Sequence, residues 1–259
     1  MILYRACSAV EKDVPFDDTW HILMSSMEDA KGVFYEFLHE LKELAGTDDF
    51  ILCYSDPAEN FRKDLPGVEY KAHRVGQRKP LCYSALKDYT TERYLYCQLP
   101  RLEADDVLGI LMTNGTVDDP VLWSLDKDLK QIPGQHLVDD EIITVTPEEG
   151  EFFHMYQTLV GDTADGYKGC PGVGDTKAVK YLTEKLKGQP YIHTLKSGKR
   201  KGEQEWRFAD VSSKDHWDTV VALYEAQGLT EDDALQQARV AKILDANHYV
   251  NGEIKLWKP

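Results

Sequence analysis

The sequence is poor in cysteine and has no long apolar run. Its five cysteines are odd in number and their spacings do not suit a metal site; they are Cys7, Cys53, Cys82, Cys97 and Cys170. No window approaches the roughly 18 consecutive apolar residues of a membrane span, and no signal-peptide hydrophobic region opens the chain. We therefore expect reduced thiols, no zinc or disulfide, no membrane partner and a cytoplasmic location.

Basic residues are also scarce. The chain has 30 basic and 45 acidic residues and a formal charge of −15, which by itself argues against a nucleic-acid partner. The bases nevertheless cluster, in Lys71–Lys79 and Lys196–Lys201, so their distribution is more informative than their total. A length of 259 residues, 42% of them hydrophobic, excludes disorder and allows one large core with a small added subdomain.

The apolar pattern predicts a parallel α/β domain followed by a helical one. Helical spacing predicts a helix over 17–46, ended by Gly46, and another over 105–112. Continuous apolar runs predict buried parallel strands at 50–54, 94–99 and 121–125, and a last strand pair lies at 136–146. After Pro147 we expect helices near 148–160, 174–187, 212–227 and 230–245, with a hairpin tip at 195–202. The predicted domains are 1–147 and 148–259.

Acidic residues follow three predicted strands, at the sheet edge where α/β active sites form. They are Asp56 after the first strand, Glu103, Asp105 and Asp106 after the second, and Asp126 and Asp128 after the third. Taken singly, each group has a simpler explanation as a turn or a helix N-terminus. Taken together, the three groups favour a cation site, because a cation relieves their mutual repulsion.

Two further acids, Asp162 and Asp165, are three residues apart in a turn flanked by glycine. All these candidates are hard oxygen ligands, which predicts Mg²⁺, with Mn²⁺ as a substitute. Eight carboxylates exceed the needs of one ion. A pair of ions is therefore expected, which is the arrangement used for in-line attack on phosphodiesters.

The ordered set of motifs resembles the flap endonuclease and 5′-nuclease superfamily, and within it the 5′–3′ exonucleases of short-tailed bacteriophages. The matching stretches are Tyr54–Asp56, Asn60–Asp64, Tyr70–Arg74, Leu102–Val107, Ser124–Asp128 and Gly161–Val179. The resemblance runs nearly from end to end. It implies a core of the PIN type, with a parallel central sheet flanked by helices, and a C-terminal helix–three-turn–helix subdomain.

The resemblance also implies roles for individual residues. One metal site would use Asp56, Glu103, Asp105 and Asp106, and a second would use Asp126, Asp128, Asp162 and Asp165. Backbone amides near Gly172, Val173 and Gly174, together with Lys177, would grip duplex phosphates, with K⁺ as a further ion there. The simpler alternative for that stretch is a glycine-rich helix start.

An arch near residues 70–90 is also implied by the resemblance. Lys71 and Arg74, three residues apart on one helical face, would offset transition-state charge as catalytic residues, and Tyr70 would stack on a base. Further DNA backbone contacts are expected from Arg62, Lys63, Arg78 and Lys79. The alternative is a solvated basic turn.

The N-terminus departs from the family pattern. The family has an Asp at the end of a first strand, and aligning Tyr4 with the family's aromatic residue places that Asp two positions before Met1. Both the Asp and its strand are missing here. The chain is therefore expected to begin at an internal Met of a longer reading frame, the alternative being a shortened variant.

The predicted activity is Mg²⁺-dependent 5′–3′ hydrolysis of duplex DNA from 5′ ends, with RNA–DNA hybrids and 5′ flaps as further substrates. It would serve phage replication and host DNA breakdown in the bacterial cytoplasm. One alternative is a truncated or inactive member that binds branched duplex DNA without cleavage. A second, a toxin-like ribonuclease, is disfavoured because such domains lack the Gly161–Val179 element.

Overall fold

The computed structural model describes residues 1–17, 19–67, 69–74, 76–198 and 200–259, and for residues 189–192 and 205–208 it describes the backbone alone. The chain forms two compact units. The first comprises residues 1–60, 74–146 and 243–247, and the second comprises 61–73, 147–242 and 248–259. The predicted single boundary after residue 147 differs from this division at two segments: residues 61–73 belong to the second unit and residues 243–247 belong to the first.

The first unit is an α/β assembly. Its helices are α1 (Ile2–Val10), α2 (Met27–Ala45), α3 (Tyr83–Arg93) and α4 (Ala104–Thr113). Its strands are β1 (Lys12–Pro15), β2 (His21–Met24), β3 (Leu52–Tyr54), β4 (Tyr96–Gln98), β5 (Val121–Trp123), β6 (Gly134–Val138) and β7 (Glu141–Val145). A short 3₁₀ helix covers Lys127–Gln131, and another, Ala72–Arg74, has only its last residue in this unit. The sequence did not predict α1 or α3.

The helix predicted over 17–46 is shorter than expected. It begins after Ser26, whose hydroxyl accepts the Asp29 N–H, and ends at Gly46 in a left-handed conformation. Before it, β1 and β2 form an antiparallel hairpin. The Asp17 carboxylate closes the hairpin turn by accepting the N–H groups of Thr19 and Trp20. Helical spacing there was misleading, because the turn chemistry of Asp17 competes with a helix.

The parallel sheet is present in two pieces rather than as one central sheet. β3 pairs in parallel with β4, and β5 pairs in parallel with β6, which pairs antiparallel with β7. Within the described residues, no ladder joins the two pieces. The predicted strand positions are confirmed at their centres, although three of the strands have only three residues each.

Helices cover this unit's core. Ala6 of α1, Phe34 of α2 and Leu86 of α3 are fully buried in one cluster with Leu52 of β3. One face of α3, with Leu86 and Thr90, therefore packs into the core, and the arch near 70–90 stays a prediction. All five cysteines are free thiols, as predicted.

The second unit is mainly helical. It contains α5 (Pro147–Val160), α6 (Asp175–Thr183), α7 (His216–Glu225), α8 (Glu231–Ala241) and a 3₁₀ helix at Phe61–Asp64. Its strands are β8 (Leu186–Thr194), β9 (Gln204–Ser212), β10 (Tyr249–Val250) and β11 (Glu253–Ile254). The helix predicted near 174–187 is shorter, because Lys185 has a positive φ of 47° and β8 follows it. The predicted hairpin around 195–202 is confirmed, except at Lys199, which lies outside the described residues.

Side chains from α5, α6 and α7 form the core of this unit, with Leu159, Leu182 and Val220 fully buried. Among helices in the described part of the chain, none is both long and apolar enough to cross a membrane.

Two helical glycines of the first unit should have opposite effects on stability when replaced by alanine. A Cβ on Gly109 of α4 would lie 2.3 Å from the Leu244 carbonyl oxygen, whereas a Cβ on Gly32 of α2 would meet no atom within 4 Å. Gly109→Ala should destabilise the fold by about 1–3 kcal/mol through overpacking. Gly32→Ala should stabilise it by about 0.5–1 kcal/mol through helix propensity. Urea unfolding of both variants tests this pair; equal effects would contradict the close packing of α4.

Candidate metal and nucleic-acid site

The end of β3 holds the loop that leads from β4 into α4. Asp56 Oδ2 accepts the Arg101 N–H (2.7 Å), and its Oδ1 accepts the Ala58 N–H (2.9 Å). The Ser55 hydroxyl accepts the N–H of Ala104, the first residue of α4 (3.0 Å). The two backbone donors hold the pKa of Asp56 below its usual value. Asp56 is thus ionised and fixed where the carboxylates of α4 begin.

The acidic first turn of α4 is organised by a capping box. Glu103 is the N-cap residue, and its side chain accepts the Asp106 N–H, while Asp106 Oδ2 accepts the Glu103 N–H (3.2 Å). Asp106 is 0% exposed, and its Oδ1 accepts the Leu244 N–H (3.0 Å). The simpler explanation of Glu103 and Asp106, as acids that cap a helix N-terminus, therefore agrees with the structure. It does not exclude coordination, because each carboxylate oxygen has further lone pairs.

Asp105 lies beside Asp106 in the same turn and is half-buried. After β5, Asp126 Oδ1 accepts the Asp128 N–H (3.0 Å) and caps the 3₁₀ helix Lys127–Gln131. Asp126 and Asp128 are both half-buried. The carboxylates of the first unit thus follow β3, β4 and β5, as predicted.

In the second unit, Asp162 and Asp165 share a tight loop after α5. Asp162 Oδ1 accepts the Ala164 N–H (2.7 Å), and the backbones of Asp162 and Tyr167 pair as a β-bridge. The loop closes where Gly161 and Gly169 meet: a Cβ on Gly161 would lie 2.5 Å from the Gly169 nitrogen. With positive φ angles of 75° and 65°, these positions require glycine.

Lys71 and Tyr70 pack on this loop. Lys71 Nζ lies 3.4 Å from Asp165 Oδ2, the Tyr70 hydroxyl donates to the same oxygen (3.2 Å), and the Lys71 N–H donates to the Asp165 carbonyl (2.9 Å). A Cβ on Gly166 would lie only 2.6 Å from the Glu69 carbonyl oxygen, which shows how closely the two segments approach. A predicted catalytic residue and a predicted metal ligand thus form an ion pair.

Two predictions for the 70–74 segment are wrong. The ring of Tyr70 is 5% exposed and packs with Leu65 and Tyr167, so it does not present a face to a base. Lys71 has a positive φ of 50° and precedes the 3₁₀ helix at 72–74, so it does not share a helical face with Arg74. Arg74 is exposed.

The basic residues predicted to contact DNA have different surroundings. Arg62 is 3% exposed and donates to the carbonyl oxygens of Val240 (3.0 Å) and Lys242 (2.6 Å), so a DNA contact is wrong for it. Arg78 forms a two-pronged ion pair with Glu11 (2.5 and 2.8 Å). Lys63 and Lys79 are exposed, as phosphate contacts require.

The predicted duplex grip forms the start of α6. Gly174 is the N-cap residue, Gly172 has a positive φ of 69°, and both are exposed. Val173 is buried in the core, which anchors the turn beneath these glycines. Lys177 is half-buried in the first turn of α6. Exposed amides at a helix N-terminus are suited to a phosphate.

The donor set suits Mg²⁺ chemically, because the candidates are all carboxylates. Within the described ranges, however, no three His, Cys, Asp or Glu side chains converge as a metal-binding group. Backbone amides contact five of the candidate carboxylates, and Lys71 contacts that of Asp165; the five are Asp56, Glu103, Asp106, Asp126 and Asp162. The assignment of the eight residues to two ions stays a prediction.

The sequence analysis missed Gln237, which positions the loop of Asp162 and Asp165, and assigned the wrong role to Arg62. Gln237 of α8 accepts the N–H groups of Lys168 and Gly169, each at 3.1 Å, and Arg62 ties the 61–73 segment to the end of α8. Neither has a sequence signal, because both contacts join residues far apart in the chain.

No protein-family model matches the chain. Curated relatives do: the exonuclease of Escherichia phage T7 is 33% identical over 276 residues, covering 100% of this chain and 91% of its own. The exodeoxyribonuclease of Enterobacteria phage T3 is 32% identical, covering 100% and 90%. The bacteriophage T5 flap endonuclease, solved with DNA and metal ions, has a similar fold, with a TM-score of 0.54 at 13% identity over 82% of this chain and 80% of that one.

Similarity at 33% and 32% identity over the whole chain places the protein in the class of phage nucleases. The chain belongs to the 5′-nuclease superfamily, and within it to the family of exonucleases of short-tailed bacteriophages.

Asp56 makes a pH-dependent prediction. Because its folded-state pKa is lowered, its contribution to stability is present above the unfolded-state pKa of about 4 and is lost as pH falls through the folded value. Asp56→Asn should therefore be less stable than the wild type at neutral pH, with the difference shrinking under acid. Unfolding in urea, with a chelator present, measures both proteins. A difference of equal size at both pH values would refute the role of the amide bonds. Asp140→Asn, in an exposed turn, is the control at neutral pH.

Proposed function

We propose that this chain is a Mg²⁺-dependent 5′–3′ exodeoxyribonuclease that hydrolyses duplex DNA from 5′ ends, and that also acts on RNA in RNA–DNA hybrids and on 5′ flaps. The observation that carries the proposal is the likeness to two phage exonucleases over the full chain at 33% and 32% identity. Phage DNA replication and host DNA breakdown are the proposed roles.

In this proposal the two ions are Mg²⁺, replaceable by Mn²⁺. The ligands would be Asp56, Glu103, Asp105, Asp106, Asp126, Asp128, Asp162 and Asp165. A bound ion supplies charge stabilisation at the phosphoryl oxygens. The amide bonds to Asp56 and Asp106 orient these carboxylates before any ion binds, which lowers the cost of arranging the ligands.

Lys71 would offset the negative charge that develops on the phosphoryl group. Its ion pair with Asp165 and its backbone bond to the same residue fix it on the loop that carries two of the proposed ligands. The start of α6, with Gly172, Gly174 and Lys177, would hold a duplex phosphate through backbone amides and one charge, with K⁺ as a further ion there.

A second candidate function is duplex binding without cleavage. It is favoured by one observation: within the described residues no three metal-binding side chains converge. It predicts that the wild type binds duplex DNA and leaves it intact in Mg²⁺.

Removal of two carboxylates tests the catalytic proposal. Asp126→Asn with Asp128→Asn keeps an oxygen to cap the 3₁₀ helix and removes two charges. Cleavage of a 5′-labelled duplex should fall about 10³-fold or more, because several kcal/mol of charge stabilisation are lost, and duplex binding should change little. The matched control is Asp139→Asn with Asp140→Asn, in the exposed β6–β7 turn of the same unit. Retained cleavage in the first variant would remove these residues from the site.

Lys71 makes a separate prediction. Lys71→Met should lower the rate of cleavage at saturating DNA by about 10²-fold, the usual cost of losing one group that stabilises transition-state charge, and should weaken binding much less. Lys63→Met, at an exposed residue of the same unit, should show the reverse pattern. Equal losses of rate and binding for Lys71→Met would make Lys71 an anchor only.

A further inference from the structure

The hairpin of β8 and β9 is a long appendage of the second unit. Its strands are nine residues each and pair in unbroken register from Leu186 and Ser212 to Thr194 and Gln204. At about 3.3 Å per residue, the hairpin extends roughly 30 Å. Residues 195–198 and 200–203 lie at its tip, which is closed by hydrogen bonds from the Leu195 N–H to the Glu203 carbonyl (2.9 Å) and from the Gly202 N–H to the Leu195 carbonyl (2.8 Å).

The tip is basic although the chain is acidic. The sequence places four basic residues and one acidic residue in 195–203, in a protein of net charge −15. Of the basic residues that the structure describes there, Lys196, Arg200 and Lys201 are all exposed. The single acid, Glu203, pairs with Arg200 at 2.6 Å. A solvated turn does not require this concentration of positive charge, which is self-repulsive unless an anion is bound.

The base of the hairpin is fixed to neighbouring helices. Asp210 of β9 accepts a hydrogen bond from the Tyr181 hydroxyl of α6 (2.6 Å) and lies 3.6 Å from Lys180 Nζ. Lys187 of β8 pairs with Asp218 of α7 at 2.8 Å. The hairpin is therefore attached to α6, the helix whose start is the proposed duplex grip.

We propose that the hairpin tip is a second contact for the phosphate backbone of duplex DNA, made by Lys196, Lys201 and Arg200. This inference rests on the proposed function, since it assumes that the start of α6 holds the same duplex. The combined lengths of hairpin and α6 limit the two contacts to roughly 45 Å apart, or about 13 base pairs. The recognised chemistry is a regular row of phosphates, without base readout.

The test is the salt dependence of binding to a duplex of about 30 base pairs, with a chelator present so that no cleavage occurs. Lys196→Gln with Lys201→Gln should lower the steepness of log K against log salt by about 1.8, since each lost phosphate contact removes about 0.9. Between about 50 and about 200 mM salt, the wild type should then lose about tenfold more affinity than the variant. Lys196→Arg with Lys201→Arg keeps the charge and should retain the wild-type slope.

A variant that is expected to strengthen DNA binding separates the loss of a phosphate contact from misfolding of the hairpin. Glu203→Gln removes the acid that pairs with Arg200 and should tighten duplex binding, which a damaged hairpin would not do. An unchanged slope in the double Gln variant, or no gain of affinity in Glu203→Gln, overturns the proposal.

The two proposals fail separately. A wild type that binds in chelator with the tip-dependent slope but does not cleave in Mg²⁺ refutes the nuclease proposal and supports the tip contact. A wild type that cleaves, with a slope indifferent to the tip lysines, refutes the tip contact alone. A wild type that does not bind duplex DNA refutes both.

Discussion

Backbone amides hold most of the candidate metal ligands in place, and the arrangement of the site depends on this interaction. Clustered carboxylates repel one another and must be offset by cations or by N–H dipoles. Asp56 and Asp106 each accept two backbone amides from residues far away or adjacent in the chain, while Asp162 accepts amides within its own loop. Asp165 is offset by Lys71 instead. Within each unit, the backbone amides and Lys71 therefore offset part of the negative charge of these carboxylates.

The same bonds also build the fold, so the capping seen in the structure is compatible with the predicted metal ligation, which stays a prediction. Glu103 and Asp106 form a capping box, and Asp126 caps a 3₁₀ helix. A helix N-terminus stabilises acids through its dipole and presents them at the end of a strand. Capping and ligand placement are thus compatible uses of one carboxylate, since an oxygen that accepts one N–H has capacity for a cation.

Local sequence patterns predicted much of this structure. The features that were not predicted depend on contacts between residues far apart in the chain. The end of α2 at Gly46, the strand pair of β6 and β7, and the hairpin around 195–202 follow from glycine and alternation, which act locally. The carboxylate positions after β3, β4 and β5 were also predictable, because strand ends and turn residues are local signals. Arg62 and Tyr70 were misread, since exposed and buried polar residues look alike in a sequence. Their partners, Val240 and Asp165, lie roughly a hundred or more residues further along the chain.

The loop of Asp162 and Asp165 shows what makes a site predictable. Gly161 and Gly169 come into backbone contact at positive φ, and Gly166 abuts the Glu69 carbonyl, so three positions exclude any Cβ. These steric requirements are written in the sequence as glycines around two acids, and they identified the loop. Nothing in the sequence indicates that Gln237 accepts two amides of that loop, or that Lys71 lies against Asp165. A glycine in the sequence indicates a local steric requirement, whereas the partner of a glutamine or lysine is set by the folded chain. The backbone geometry of this loop is therefore easier to predict than the side-chain contacts that hold it in place.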